Sequence, residues 1–289
     1  MKRRKFIRNS LLATGAATMG SFSYPVKANT TKKFANDRIM LGNGKVSVSR
    51  LAIGTGTNGW GGRSDQTREM GIKGLSDLLR AAYDKGVFFW DSADQYGTHP
   101  HMKEALKYVP REKVTILTKT HATTEEEMKK DLDRFRKEIG TDYIDILLLH
   151  NMQSPNWPTE KRGAMDVISQ AQEEGIVKLH GVSCHMLDAL KAAANSDWVQ
   201  IDLARINPYG ARMDGTVEEV VPVLKKMKDS GKSLIGMKIF GGGKLSGHVD
   251  ECLQSALSRE YIDCFTIGIE SLAQFNDLMT RIPGASQPA

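Results

Sequence analysis

Eight short apolar runs punctuate the chain, at residues 51–53, 87–90, 114–117, 144–149, 177–182, 199–203, 234–239 and 264–267. Each is too short for a helix and rich enough in branched and aromatic residues to read as a buried strand. Between them the spacing of apolar positions changes to a helical one. Leu75, Leu78, Leu79 and Ala82 form one stripe within 67–85. Residues 124–139 open with Thr124 and three glutamates, the cap and charge that a helix N-terminus favours. Comparable patterns cover 159–174, 187–194, 217–230, 249–259 and 271–281, with a shorter one at 100–108. Ahead of them all, RIMLGNGKVSVSRL alternates on either side of Gly42-Asn43-Gly44, a hairpin signal.

Strands alternating with helices through roughly 250 residues predict an α/β fold, specifically a (β/α)8 TIM barrel. A doubly wound open sheet is the rival. Its phosphate fingerprint G-x-G-x-x-G is missing after the first strand, where Gly54, Gly56 and Gly59 are wrongly spaced. The glycine run Gly241-Gly242-Gly243 instead follows the seventh strand, where barrels commonly bind phosphate.

Charge changes the picture only at the N-terminus. The chain has 289 residues, 40 basic and 34 acidic, for a net charge of +6. Six of the basic residues (Lys2, Arg3, Arg4, Lys5, Arg8 and Lys27) fall in the first 28, which contain no acid. The remainder is balanced at 34 against 34, so a nucleic-acid partner is not expected. The basic head, a modest apolar stretch over 11–24 and the small residues of Val26-Lys27-Ala28 predict a signal peptide over 1–28, with a polar linker over 29–36 and the barrel over 37–289. The stretch is too short and too weakly apolar for a stable membrane span. Arg3-Arg4-Lys5-Phe6-Ile7-Arg8 resembles the twin-arginine export motif, which implies the twin-arginine machinery as a partner and a periplasmic destination for an already folded protein. Three cysteines, Cys184, Cys252 and Cys264, are too few for a disulfide framework.

Candidate chemistry lies where strands should end. Asp91 closes the aromatic run of FFWD, Tyr96 follows in the next loop, Lys119 closes VTILTK, and His150 closes IDILLLH. In a barrel these ends converge on the active-site face. A phenol, an ammonium that tunes it, a carboxylate that anchors the ammonium and an imidazole that orients a substrate oxygen together suit protonation of a developing alkoxide. A metal-dependent hydrolase is a competing possibility, with His99 and His101 in H-x-H and Cys184-His185 as ligands, but the H-x-H pair does not end a strand and no metal is expected.

DSADQYG, the Lys of ILTK and the His of ILLLH, in this order, resemble the aldo-keto reductase family, and the likeness extends from about Asp37 to about Thr280. It implies a barrel whose bottom is closed by the N-terminal hairpin. It also implies NAD(P)H bound across the mouth, and reduction of an aldehyde, ketone or sugar carbonyl, or the reverse, with Tyr96 as proton donor. Asp91, Lys119 and His150 complete the catalytic set. On the cofactor side the resemblance points to Ser183 and Gln200 for the carboxamide and to Met237 beneath the ring. Lys238, Gly241 and Gly242 would hold the pyrophosphate. Ser183 is followed here by Cys184 where relatives carry Asn, a departure from the pattern. Near the last strand Glu270 stands where NADPH-using relatives carry basic residues, which suggests a lean to NAD(H). Trp60, His99 and His121 are expected to line the substrate pocket, with Met152 and Trp157 nearby. An exported cofactor-binding or sensing protein with little turnover is the alternative from another class.

Overall fold

The computed structural model describes residues 32–286; the leader over 1–28 and the start of the linker lie outside them. The polar segment that follows is tied to the body from Lys33 onward. The Lys33 ammonium donates to the Leu257 carbonyl at 2.6 Å, its backbone N–H donates to Ser286 Oγ at 3.0 Å, and Ala35 is buried.

Strands β1 (Arg38–Leu41) and β2 (Val46–Ser49) form the expected antiparallel hairpin. Its turn holds Gly42, Asn43 and Gly44 at positive φ, which explains a loop made of two glycines and an asparagine. Eight parallel strands then close into a barrel: β3 (Leu51–Gly54), β4 (Phe89–Asp91), β5 (Thr115–Thr120), β6 (Ile144–Met152), β7 (Val177–Cys184), β8 (Ile201–Arg205), β9 (Ser233–Met237) and β10 (Cys264–Gly268). The last strand pairs with the first, Phe265 opposite Leu51 through Gly268 opposite Gly54.

Alternation along each strand divides the core in two. Ala52, Phe89, Leu117, Ile146, Leu148, Leu179, Ile201, Leu203, Ile235 and Cys264 fill the barrel interior, and Leu41, Val46 and Val48 of the hairpin join the same cluster. The hairpin is therefore a plug. It covers the N-terminal strand ends, where Gly42 N–H donates to Ser233 Oγ at 2.9 Å and Thr115 Oγ1 donates to the Ser47 carbonyl at 2.7 Å. The other cluster packs the barrel wall against an outer ring of helices.

Those helices are α1 (Asp65–Glu69), α2 (Gly71–Asp84), α3 (His99–Ala105), α4 (Glu125–Ile139), α5 (Trp157–Glu160), α6 (Arg162–Glu173), α7 (Leu187–Asn195), α8 (Val217–Asp229), α9 (Val249–Ser258) and α10 (Leu272–Ala285). Two of the expected helices are broken. Residues 67–85 split at Gly71, whose φ is +61°, and residues 159–174 split at Lys161. Elsewhere the capping chemistry holds: Thr124 and Glu127 form a reciprocal capping box at the start of α4. None of these helices is long and apolar enough to cross a membrane.

Candidate active site

Gly54, Asp91 and Gly268 end β3, β4 and β10 at one level of the ring, and Lys119 and His150 project from the next two strands. Lys119 is buried and its ammonium is held on two sides, by Asp91 Oδ1 at 2.5 Å and by the Ser92 carbonyl at 2.6 Å. The other oxygen of Asp91 accepts from Thr266 Oγ1 of β10 at 2.8 Å. The carboxylate thus uses both oxygens, and a buried ion pair of this kind is tolerated because its remaining polar atoms are matched.

Tyr96 follows in a short 3-10 turn over Asp94–Tyr96 that closes at Gly97, whose φ is +67°. The Lys119 ammonium lies 5.0 Å from the centre of the Tyr96 ring, and the phenol oxygen is 3.5 Å from His150 Nε2. Gly56 and Gly59, in the loop after β3, press on the same ring: a Cβ at either would come within 2.2 or 2.3 Å of ring carbons. Tyr96 is clamped between a glycine loop and the barrel mouth.

Burial pushes the Tyr96 phenol up; Lys119 pulls it back without prevailing. This reverses the sequence-based expectation that the ammonium lowers the phenol, because desolvation of a phenolate outweighs one nearby charge. A phenol kept protonated is still suited to donate. Burial likewise holds His150 well below the ordinary imidazole range, helped by Lys119. His121 stacks on His150 at 4.8 Å, and its Nε2 meets Gln95 Oε1 at 2.9 Å. His185 meets the other side of His150 edge-on at 6.4 Å.

A cleft of about 350 Å³ leaves this cluster along the mouth. Asp91, Tyr96 and Lys119 line it, together with Met237, Lys238, Gly242 and Gly243 from the segment after β9 and Glu270, Gln274 and Asp277 from the segment after β10. Met237 continues the inward face of β9, and Lys238 follows in a left-handed conformation at φ +56°. Burial lowers the Lys238 ammonium, as do the charges of Arg205 and Arg212. A cleft that joins the phenol and ammonium to a buried cation beside a glycine loop fits a nicotinamide dinucleotide, with Lys238 suited to its pyrophosphate. Ser183 stands on the inward face of β7 and accepts from the Asn151 N–H at 3.2 Å, which leaves its hydroxyl hydrogen available to donate.

Several expected site residues lie elsewhere. Gln200 precedes β8 and sits at the plugged end, where it exchanges amide hydrogen bonds with Gln172 at 2.9 Å. It is at the wrong end of its strand to touch a ligand in the mouth. Gly241 is packed on Ala211 and Leu245 outside the cleft wall, and the amides of Gly241 and Gly243 close turns onto the Lys238 and Phe240 carbonyls. The glycine run therefore shapes the loop more than it offers donors. His99 is buried outside the barrel, between Glu138 at 2.9 Å and Thr118 at 2.7 Å, and meets Phe135 edge-on at 4.9 Å. The left-handed turn at Gly97 sends the chain outward into α3, so His99 lines no pocket and does not converge with Cys184-His185. Cys184 belongs to the outer core, and the three cysteines are unpaired and buried. Among the described residues no group of three or more potential ligands is arranged to hold a metal ion. Met152, the last residue of β6, and Trp157, the first of α5, are buried in the outer core, whereas Trp60 stands at the surface, 75% exposed.

Arg205 was missed from the sequence, although it ends β8 in IDLAR just as Lys119 ends TILTK. Asp202 was also missed. It lies fully buried on that strand with both oxygens unpartnered, and burial raises its carboxyl well above the ordinary range.

The aldo/keto reductase family model matches residues 51–260. A D-threo-aldose 1-dehydrogenase from a Pseudomonas species is 22% identical over 214 residues, 61% of this chain and 64% of that one. The NADH-specific methylglyoxal reductase of Escherichia coli is 25% identical over 173 residues, 50% of this chain and 51% of that one. A third match is the NADPH-dependent alpha-keto amide reductase of Saccharomyces cerevisiae. The chain thus spans about half to two thirds of the length of these curated relatives. Among solved structures, a Pseudomonas aeruginosa protein described as an aldo-keto reductase superposes with a TM-score of 0.72 at 18% identity, covering 89% of this chain and 99% of that one.

Proposed function

The chain belongs to the aldo/keto reductase family, and from that premise we propose that it reduces a small carbonyl compound to an alcohol, or runs the reverse reaction, with a reduced nicotinamide cofactor. The observation that carries this is the meeting of Tyr96, Lys119, Asp91 and His150 at the barrel mouth, the first three of them lining its cleft. The cofactor supplies the hydride when bound. Met237 would pack under its nicotinamide, Ser183 would donate to the carboxamide, and Lys238 would take the pyrophosphate. Tyr96, a protonated phenol, hydrogen-bonds the carbonyl oxygen and gives up its proton as negative charge develops there. Lys119, fixed by Asp91, stabilises the phenolate left behind, and neutral His150 holds the substrate oxygen within reach.

Tyr96→Phe tests this reading. We expect the turnover number for aldehyde reduction to fall about 10²- to 10⁴-fold, the usual share of a general acid, with reduced-nicotinamide binding retained. Full activity in that variant would remove Tyr96 from the proton-donor role.

A lean to NAD(H) belongs to the same proposal. Glu270 and Asp277 line the cleft, and Arg281 is engaged by Asp250 at 2.9 Å and Asp277 at 2.7 Å. A 2′-phosphate beside Glu270 would meet a carboxylate, and the nearby guanidinium is already paired. Fluorescence titration with both reduced nicotinamides decides between them: tighter NADPH binding would overturn the preference. Export through the twin-arginine route is part of the same proposal, supported by the Arg3-Arg4 leader alone. Cell fractionation with an Arg3→Lys, Arg4→Lys double variant checks it, with retention in the cytoplasm as the expected result.

A further inference from the structure

Arg205 is a further charged side chain at the mouth, and nothing in the reaction described above uses it. Ile201, Leu203 and Arg205 alternate onto the inward face of β8, so the guanidinium rises from the barrel interior at the mouth. Its side chain is only 15% exposed. Yet it is poorly matched. Its one carboxylate neighbour, Asp214, stands 3.6 Å from Nε, no hydrogen bond forms at Nε, and both Asp214 oxygens are also unpartnered. Among the described residues, a weak contact from Nη1 to the Arg212 carbonyl, at 3.4 Å, is its one hydrogen bond. A buried guanidinium with idle donors is costly unless a ligand completes it.

The surroundings say which ligand. Arg212 and Lys238 lie close enough to Arg205 to repel its charge, and neither has a carboxylate partner among the described residues. Lys119 is already neutralised by Asp91. This side of the mouth therefore holds three cations against the one loosely placed carboxylate of Asp214. The charge of Arg205 is also felt at Tyr96 and at His185, the imidazole on the far side of His150. Arg205 is itself absent from the walls of the cleft that Lys238 and Gly242 line, although its backbone pairs with Met237 beside them. Its charge reaches the reacting phenol, so it can act on a group held next to Tyr96.

We propose that Arg205 is a specificity residue that binds an anionic group on the substrate, so that the preferred substrates are short aldehydes or ketones carrying a carboxylate. The planar guanidinium offers paired N–H donors that match a carboxylate in two-point contact. His185 near it is held uncharged by burial, so Asp214 is the carboxylate an incoming anion meets, and the cations of Arg205, Arg212 and Lys238 outnumber it. The inference rests on the oxidoreductase reading for the word substrate, but the anion site itself does not.

The test has two arms. In the first, succinate, a carboxylate that cannot react, is titrated calorimetrically into the wild type, Arg205→Gln and Arg205→Lys, and reduced-nicotinamide affinity is measured on the same three proteins. We expect Arg205→Gln to weaken succinate about 10- to 100-fold, the worth of a charge-assisted pair, and Arg205→Lys to weaken it less. Equal succinate binding in all three overturns the inference. So does a loss of nicotinamide affinity by the same factor, which would assign Arg205 to the cofactor. In the second arm, kcat/KM is compared for 4-oxobutanoate and its methyl ester. A preference for the free acid that collapses in Arg205→Gln supports the proposal, and equal use of acid and ester by the wild type sinks it. Reduction of neither compound, with Arg205-dependent succinate binding intact, would instead count against the oxidoreductase reading and leave the anion site standing.

Discussion

At the scale of single residues, the proton-transfer set depends on one buried and matched ion pair, Lys119 with Asp91. Lys119→Met removes the ammonium and leaves Asp91 a buried carboxylate supported by Thr266 alone. Breaking such a pair costs about 3–5 kcal/mol, so the urea midpoint of this variant should fall well below that of wild type. A midpoint within error of wild type would mean that Asp91 is better hydrated than its burial indicates. Gly56→Ala acts by contact instead of charge. Its Cβ would strike the Tyr96 ring, and the phenol must turn away from His150. We expect turnover to fall at least about tenfold, since a misplacement near 1 Å is enough to do so, with stability lowered by about 1–3 kcal/mol from overpacking. The acid–base groups also fix the pH profile. His150 titrates well below 6.5 and the Tyr96 phenol above 10.0, so kcat/KM for reduction should show no inflection near pH 6.5. An inflection there that disappears in His150→Gln would overturn the assignment of a neutral imidazole.

At the scale of elements, much of the fold was legible and the errors are instructive. Strands were visible because each is a short apolar run, and Asp91, Lys119 and His150 stood out because a polar side chain ending such a run needs a reason. Gln200 misled because it lies inside an apolar run, Val199 to Leu203, although strand pairing starts only at Ile201. At about 3.3 Å per residue, Gln200 and Arg205 are separated by roughly 16 Å along the strand, the difference between the plugged end and the mouth. His99 misled because closeness in sequence to Tyr96 says nothing about the direction in which Gly97 turns the chain. The broken helices escaped notice because a left-handed residue at Gly71 interrupts the backbone without disturbing the apolar stripe. The hairpin carries its own prediction. Gly42 has φ +59°, and a Cβ there would come within 2.4 Å of Leu179 in the barrel floor. Gly42→Ala should cost about 1–3 kcal/mol by denaturant unfolding, from backbone strain and overpacking together. An unchanged midpoint would show that the plug can lift without loss.

At the scale of the whole molecule, buried neutral histidines set the acid limit of stability. Burial lowers His180, which stacks on Trp198 at 4.3 Å, to about 4, and His150 also lies below 6.5. For such groups the unfolded chain takes up protons first. Their contribution is complete above pH 6.5 and declines as the pH falls toward the folded values, by about 1.4 kcal/mol per pH unit for each histidine. Unfolding midpoints measured from pH 7 down to 4.5 should therefore drop steadily, and His180→Phe should flatten that slope. A slope unchanged by the substitution would shift the cause to other groups.

The bond from Thr266 to Asp91 joins residues 175 positions apart, between the final strand of the ring and its second. It makes the carboxylate's setting contingent on the end of the chain. A copy interrupted before Cys264 keeps Asp91, Tyr96, Lys119 and His150 in its sequence but has neither a cylinder nor a second anchor for the acid. Chemical competence and topological completeness thus arrive in one event, and an unfinished or clipped molecule stays silent.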